Sequence, residues 1–336
     1  MIRALTELHL HFDGSFNILW AYKKLQSLKA IDETMTYEDF YHILFAEKGV
    51  KTTANSFYKY KLICDCLQRE EDIIEAVDIL VKELHDLGII YAEIRLAPQQ
   101  HTLCGLTQKE VVEAVCKGIK EAAIKYPDVL VKVINCMMHK GDSALVNDLE
   151  NRETIKVTKE VLSNGIVVGL DLAGYENNCP ITEYSYLYEL ANQENIPCTI
   201  HAGEMGVGYN VNHALDMHIK RIGHGIGVIE YPEVLNRLIE EKVSLEICFT
   251  SNCNHGIPHV DHPLRKLVDK GVKVSINSDN MTFANTCASH EYLLLSRLGF
   301  TDSELISFTF NAIDEAFCSE EEKTILKKKA KEIYHL

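Results

Sequence analysis

Ile89-Ile90-Tyr91-Ala92-Glu93-Ile94-Arg95-Leu96-Ala97-Pro98 is a mostly apolar run of strand length closed by proline. Lys109–Lys125 follows with apolar residues at helical spacing, and Val129–Met138 is a second apolar run. Strand, helix and strand in that order make a crossover unit, and the apolar strands suit a parallel sheet covered on both faces. The rhythm continues: helix Arg152–Leu162 ended by Asn164-Gly165, strand Ile166–Ala173, helix Ile181–Gln193, strand Pro197–His201, helix His213–Ile219 and strand Ile222–Gly225. Helix Pro232–Glu240, strand Ser244–Thr250, helix Pro263–Asp269 and strand Val272–Asn277 complete it. Upstream, Glu7-Leu8-His9-Leu10-His11-Phe12-Asp13-Gly14 alternates with period two and supplies a first strand. Eight strands with helices between them, and no linker rich in Pro, Gly or Ser, predict a closed (β/α)8 TIM barrel forming one domain over residues 1–336.

Extra helices decorate this plan. Ile18–Leu28 reads as a helix after the first strand. An insertion over residues 29–68 is helical and aromatic-rich from Thr36 to Gln68, broken at Gly49, Thr52 and Thr53, and expected to pack outside the fold. Glu70–Leu87 is amphipathic and stopped by Gly88. At the C-terminus Thr301-Asp302-Ser303-Glu304 and Ser319-Glu320-Glu321-Glu322 each announce a helix with a capping box.

Composition narrows the function. The 336 residues are 46% hydrophobic and carry a net charge of -15. Nothing basic is clustered enough to neutralise phosphates, so neither nucleic acid nor an anionic membrane is an expected partner. The 11 cysteines are scattered without a CxxC pair, as in a reduced cytoplasmic protein. No apolar run reaches membrane-spanning length, and a strand starting at Thr6 leaves no room for a secretory signal.

In such a barrel the site lies at the C-terminal ends of the strands. Those ends read His9-Leu10-His11-Phe12-Asp13, Asp171-Leu172-Ala173-Gly174-Tyr175-Glu176, His201-Ala202-Gly203-Glu204, Gly223-His224-Gly225 and Asn277-Ser278-Asp279-Asn280. His9 and His11 share one face of their strand and can grip one ion from one side. With His201 and Asp279 they form a donor set for a divalent ion of borderline softness, zinc first. Zinc lowers the pKa of bound water to near 7. Glu204, just past a ligand, is placed to donate a proton, and His224 to orient the hydroxide or take its proton.

The strings His9-Leu10-His11-Phe12-Asp13-Gly14, Asp171-Leu172-Ala173-Gly174, His201-Ala202-Gly203-Glu204, Arg221-Ile222-Gly223-His224-Gly225 and Ser275-Ile276-Asn277-Ser278-Asp279-Asn280 resemble, in this order, the adenosine deaminase family of the zinc amidohydrolase superfamily. The similarity runs from Thr6 to Phe317. It implies one Zn²⁺ per chain on His9, His11, His201 and Asp279, with Glu204 protonating purine N1 as hydroxide adds to C6 and His224 positioning and deprotonating the nucleophile. Substrate contacts implied are His11, Asp13 to a ribose hydroxyl, and the Gly174 backbone N–H to purine N3. Asn280 stands where many relatives have aspartate; its NH2 can donate to purine N7 without needing a protonated acid. Phe249 stands where relatives often have proline, which predicts altered local packing only.

The resemblance implies a hydrolase of purine salvage that deaminates adenosine, and 2′-deoxyadenosine, to inosine and ammonia. A sister activity on adenine or an N6-substituted adenine nucleotide is the alternative, and an inactive binding homologue a further one. Asp13 favours a neutral nucleoside, because a carboxylate repels a 5′-phosphate. The strings for a cytidine-deaminase zinc site and for phosphate-cradling glycine loops are absent. Elsewhere, Glu93 and Arg95 are expected to pair with each other, and Glu246 to support His224 or the metal water. The loop with His255, His259 and His262 is expected to be solvated, Cys64 and Cys66 to be helix-face thiols, and Asn210, Asn212 and His213 to cap a short helix.

Overall fold

The computed structural model describes residues 2–45, 53–177, 179–204 and 207–336, with the backbone alone for 53–57. Among these, eight parallel strands form two four-stranded sheets. The first holds β1 Thr6–His11, β2 Tyr91–Leu96, β3 Leu130–His139 and β4 Val167–Gly174. The second holds β5 His201–Ala202, β6 Arg221–His224, β7 Ser244–Ile247 and β8 Lys273–Ile276. Single bridges join Leu10 to Asp279, just beyond β8, and Leu170 of β4 to Cys198, just before β5. The ring therefore closes into the (β/α)8 barrel that the rhythm predicts.

Both faces of the strands are covered, which is why every residue of β2 is buried. The helix Gln108–Lys125 shows how the outer layer is attached. Thr107 and Glu110 cap it reciprocally, a feature that contributes about 0.5–2 kcal/mol. Val111, Val115, Ile119 and Ala122 form its buried stripe. At the N-terminal end of the barrel, Leu5, Leu8 and Tyr91 pack with Ile313, Leu326 and Ala330 of the C-terminal helices Asp302–Glu315 and Glu320–Tyr334. Both of those helices carry their expected capping boxes. No helix among the described residues is long and apolar enough to cross a membrane.

Several boundaries differ from the sequence pattern. The strand expected over Ser244–Thr250 stops at Ile247, and Phe249–Asn254 is a helix held by the Thr250 N–H donating to Glu291 Oε2 at 3.0 Å. Phe and Thr favour strands, so tertiary contacts override propensity there. Of Pro197–His201, only Cys198 and His201 enter β pairing. Helices Met281–Ala284 and Ala288–Arg297 were not anticipated; neither has a side-chain cap to announce it. The helix expected from His213 starts at Asn210, whose side chain does not cap it but donates to Glu176 Oε2 at 3.0 Å.

In the insertion, helices Tyr37–Leu44 and Thr53–Cys66 are present, while the break at Gly49 and Thr52 lies outside the described residues. Phe40 is buried and Tyr37, Tyr41 and Tyr58 are exposed, as outer packing predicts, but the second helix also reaches inward, its Tyr60 hydroxyl donating to Asn280 Oδ1 at 2.9 Å.

Candidate active site

Asp279 is brought beside β1 by the closing bridge of the barrel. There His9 Nε2 and His11 Nε2 each lie 3.1 Å from His201 Nε2. Asp279 Oδ1 is 3.6 Å from His9 Nε2 and 3.4 Å from His11 Nε2. The four donors named from the sequence thus converge. The His224 ring stands with them, its centroid 4.8 Å from that of His9 and 5.2 Å from that of His201. Ligand atoms of His9, His201, His224 and Asp279 all lie within 4.8 Å of one another.

Carboxylates behind the rings decide which nitrogens face inward. His9 Nδ1 is 2.9 Å from Glu246 Oε2, and His201 Nδ1 is 3.0 Å from Asp171 Oδ2. A carboxylate only accepts, so each Nδ1 carries the proton and each Nε2 presents a lone pair. Burial drives His9 and His11 toward the neutral form, His11 down to about 3. Burial would lower His201 as well, but Asp171 raises it, so Nε2 atoms 3.1 Å apart need a positive charge between them, a shared proton or a metal ion. Zinc with ligands at about 2.0–2.1 Å gives tetrahedral edges of about 3.3–3.4 Å, within the observed spread of contacts. The residues therefore fit a zinc-class ion.

Those carboxylates belong to a buried chain of alternating charge. Glu93 pairs with Arg221 Nη2 at 2.5 Å, and Arg221 Nε makes an ion pair, not an aligned hydrogen bond, with Glu246 at 2.6 Å. Arg95 pairs with Glu246 and, at 2.6 Å, with Asp171. Two sequence expectations are corrected here. Glu93 and Arg95 take different partners across the barrel, because side chains on one strand face are a pleat apart while opposite strands meet in the interior. Glu246 supports His9, not His224. Removing one member of such a buried pair typically costs about 3–5 kcal/mol.

Glu204 lies beside the donor set, with His224 Nε2 3.7 Å and His255 Nδ1 3.0 Å from its carboxylate. Burial alone would push its carboxyl up, but His224 and the His255 contact hold it well below the usual carboxylate range. Glu176 anchors the turn by accepting from the N–H groups of Gly203 at 2.8 Å and Glu204 at 2.7 Å. His224 Nδ1 is 3.1 Å from the Asn252 Nδ2, whose Oδ1 is 3.3 Å from His262 Nε2. With that amide donating, neutral His224 carries its proton on Nε2, the nitrogen facing Glu204. The solvated-loop expectation holds for His259 and for the exposed His255, although His255 Nδ1 also contacts Glu204, and it is corrected for His262, which is buried against Phe249 with ring centroids 4.5 Å apart.

Toward the rim, Asp13 sits buried in a single turn, Phe12–Gly14, and burial raises its carboxyl to about 6. Gly174 ends β4 with φ 114, where a Cβ would meet the His139 carbonyl oxygen at 2.8 Å. Asn280 Oδ1 accepts from the Tyr60 hydroxyl at 2.9 Å, leaving its NH2 for another acceptor. A Cβ at Gly14 would stand 1.7 Å from that Oδ1, so only glycine lets Asn280 approach. Tyr60 comes from the insertion, in which the sequence names no substrate contact. A tyrosine among the many aromatic residues of a helical insertion gives no signal of it. Asp171 and Glu246 were more visible, lying on strands next to ligand-bearing ones.

The adenosine deaminase family model matches residues 4–333. The chain belongs to the adenosine deaminase family. Adenosine deaminase of Haemophilus ducreyi is 34% identical over 329 residues, covering 95% of this chain and 93% of that one. In fold the chain is similar to an adenine deaminase from Arthrobacter aurescens, with TM-score 0.87 and 23% identity over 100% of both chains. It is similar also to an amidohydrolase from Burkhoderia ambifaria with bound Zn, with TM-score 0.88 and 21% identity over 99% of this chain and 91% of that one. Membership of the adenosine deaminase family thus agrees with the motif strings at the strand ends.

Proposed function

We propose that the chain catalyses hydrolytic deamination of adenosine and 2′-deoxyadenosine to the corresponding inosine and ammonia, with one Zn²⁺ per chain held by His9, His11, His201 and Asp279. The observation that carries this reading is the convergence of inward Nε2 lone pairs on His9 and His201, fixed by Glu246 and Asp171. A bound Zn²⁺ supplies the Lewis acidity that lets water ionise near neutral pH.

The chain's own residues do the rest. Glu204, ionised at the outset, takes a proton from the attacking water and delivers it to purine N1 while the oxygen adds to C6. His224, expected to deprotonate the nucleophile, carries its proton on Nε2 and so orients that oxygen instead. The C6 hydroxyl proton then passes to the exocyclic amine, ammonia leaves, and N1–H remains in the product. Asn280, its oxygen occupied by Tyr60, donates its NH2 to N7; Gly174 N–H serves N3, and Asp13 the ribose hydroxyl. The free cysteines suit a cytoplasmic, reducing setting for a purine-salvage enzyme.

Adenine remains the substrate to exclude, since a fold neighbour is an adenine deaminase. Turnover of adenosine, 2′-deoxyadenosine, adenine, AMP and N6-methyl-AMP, with zinc content measured on the same preparation, tests the reading. Preference for either nucleoside over the other three is expected. Preference for adenine or a nucleotide overturns the substrate, and stoichiometric zinc without turnover of any of them overturns the catalytic role.

A further inference from the structure

A second convergence of metal-binding side chains includes Asp13. One ligand atom each from Asp13, Cys64 and His101 lies within 4.8 Å of the others, and all three residues are buried. Cys64 projects from the insertion helix Thr53–Cys66, with Sγ 4.0 Å from Asp13 Oδ2 and 3.7 Å from Gln100 Oε1. His101 ends the turn after β2 and is fully buried. The Leu67 backbone is near enough to act on one ring nitrogen, and the other has no partner. Burying an imidazole with one unmet nitrogen costs about 1–3 kcal/mol, so such a ring marks a place where a partner belongs.

We propose that Asp13, Cys64 and His101 form a second site for a borderline-soft divalent cation of the zinc class. Carboxylate, thiolate and imidazole are the donor types such an ion takes. For zinc–sulfur and zinc–oxygen bonds of usual length, the sulfur–oxygen edge is about 3.6 Å, so the Cys64–Asp13 pair needs to close only slightly. Gln100 Oε1 or water fills the remaining position. The lone pair now unmet on His101 becomes a metal bond. Occupation also draws the Asp13 carboxylate away from the sugar, so the ion inhibits turnover; this consequence rests on the ribose role proposed for Asp13.

The first site contains no sulfur, which gives the second its own signature. Co²⁺ is titrated into enzyme already loaded with one equivalent of Zn²⁺, following thiolate-to-cobalt charge transfer in the near ultraviolet and turnover in parallel. A charge-transfer band is expected to grow as turnover falls. In Cys64→Ser the band is expected to vanish, and in His101→Gln the Co²⁺ affinity to drop by about tenfold or more, with the first zinc retained in both. No band in the wild-type protein, or a band that survives Cys64→Ser, overturns the site. A Cys64-dependent band with undiminished turnover upholds the site and overturns the sugar role of Asp13 instead.

Discussion

The backbone N–H of His11 donates to the carbonyl oxygen of Asp279 at 2.7 Å. In return the Asp279 N–H donates to the His9 carbonyl at 2.9 Å. The seam that closes the barrel is therefore also where the first and last metal donors meet. Asp279, beyond β8, has φ 61 and His224, ending β6, has φ 60, the left-handed region that Asp and His enter more readily than branched residues. The closed ring of hydrogen bonds keeps both in that region and holds both side chains over the strand ends.

The metal ligands and His224, which orients the oxygen, should separate by mutation. His11→Ala and Asp279→Ala are expected to lose zinc and turnover together. His224→Ala should keep zinc while kcat falls by about 10²–10⁴. Metal content of each purified variant, read beside its rate, decides the matter; release of zinc by His224→Ala moves His224 into the ligand set.

Asp171→Asn keeps the shape and an acceptor oxygen behind His201 but removes the negative charge that polarises its Nδ1–H and pairs with Arg95. Zinc affinity is expected to fall about 10–100-fold. Competition with a chelator of known affinity measures it, and an unchanged affinity would mean that the imidazole needs no such partner.

Tyr60→Phe deletes the donor to Asn280 Oδ1 and frees the amide to turn. KM for adenosine should rise several-fold with little change in kcat. Stability should drop by only about 1 kcal/mol, the worth of one hydrogen bond. A fall in kcat at constant KM would place Tyr60 in the chemical step.

The pH profile tests the Glu204–His255 contact. Burial favours the neutral acid, whereas His224 and His255 favour the carboxylate and win. Removing His255 must therefore raise the Glu204 pKa. Because the ionised form starts the reaction, activity is lost as pH falls through that pKa. In His255→Ala the acidic limb of kcat/KM should move to higher pH, and Glu204→Gln should retain zinc yet lose most turnover. An unmoved limb would show that His255 does not act on Glu204.

Stability has its own pH signature. Glu7 is buried against Ser278, whose N–H donates to it at 3.0 Å, and burial pushes its carboxyl up to about 8. The folded value exceeds the unfolded one, so this contribution is complete in acid and lost as pH rises toward about 8. Each pH unit across that window removes at most about 1.4 kcal/mol. Glu7→Gln should gain on the wild type in urea unfolding between about pH 5 and about pH 8 and gain nothing further above it. A difference that does not vary with pH refutes the assignment.

The alternation of strand and helix, and the His, Asp and Glu residues at the strand ends, were legible in the sequence alone. Both follow from periodicities that neighbouring residues set. Parity placed Glu93, Arg95 and Glu246 inside the barrel but could not name their partners. Nothing local marked Phe249–Asn254 as a helix, or told that Tyr60 and Cys64 reach the site. Only the tertiary structure decided that Glu246 and Asp171 turn the His9 and His201 lone pairs inward. Period fixes which face a side chain takes, whereas its partner across a closed ring depends on how distant strands meet.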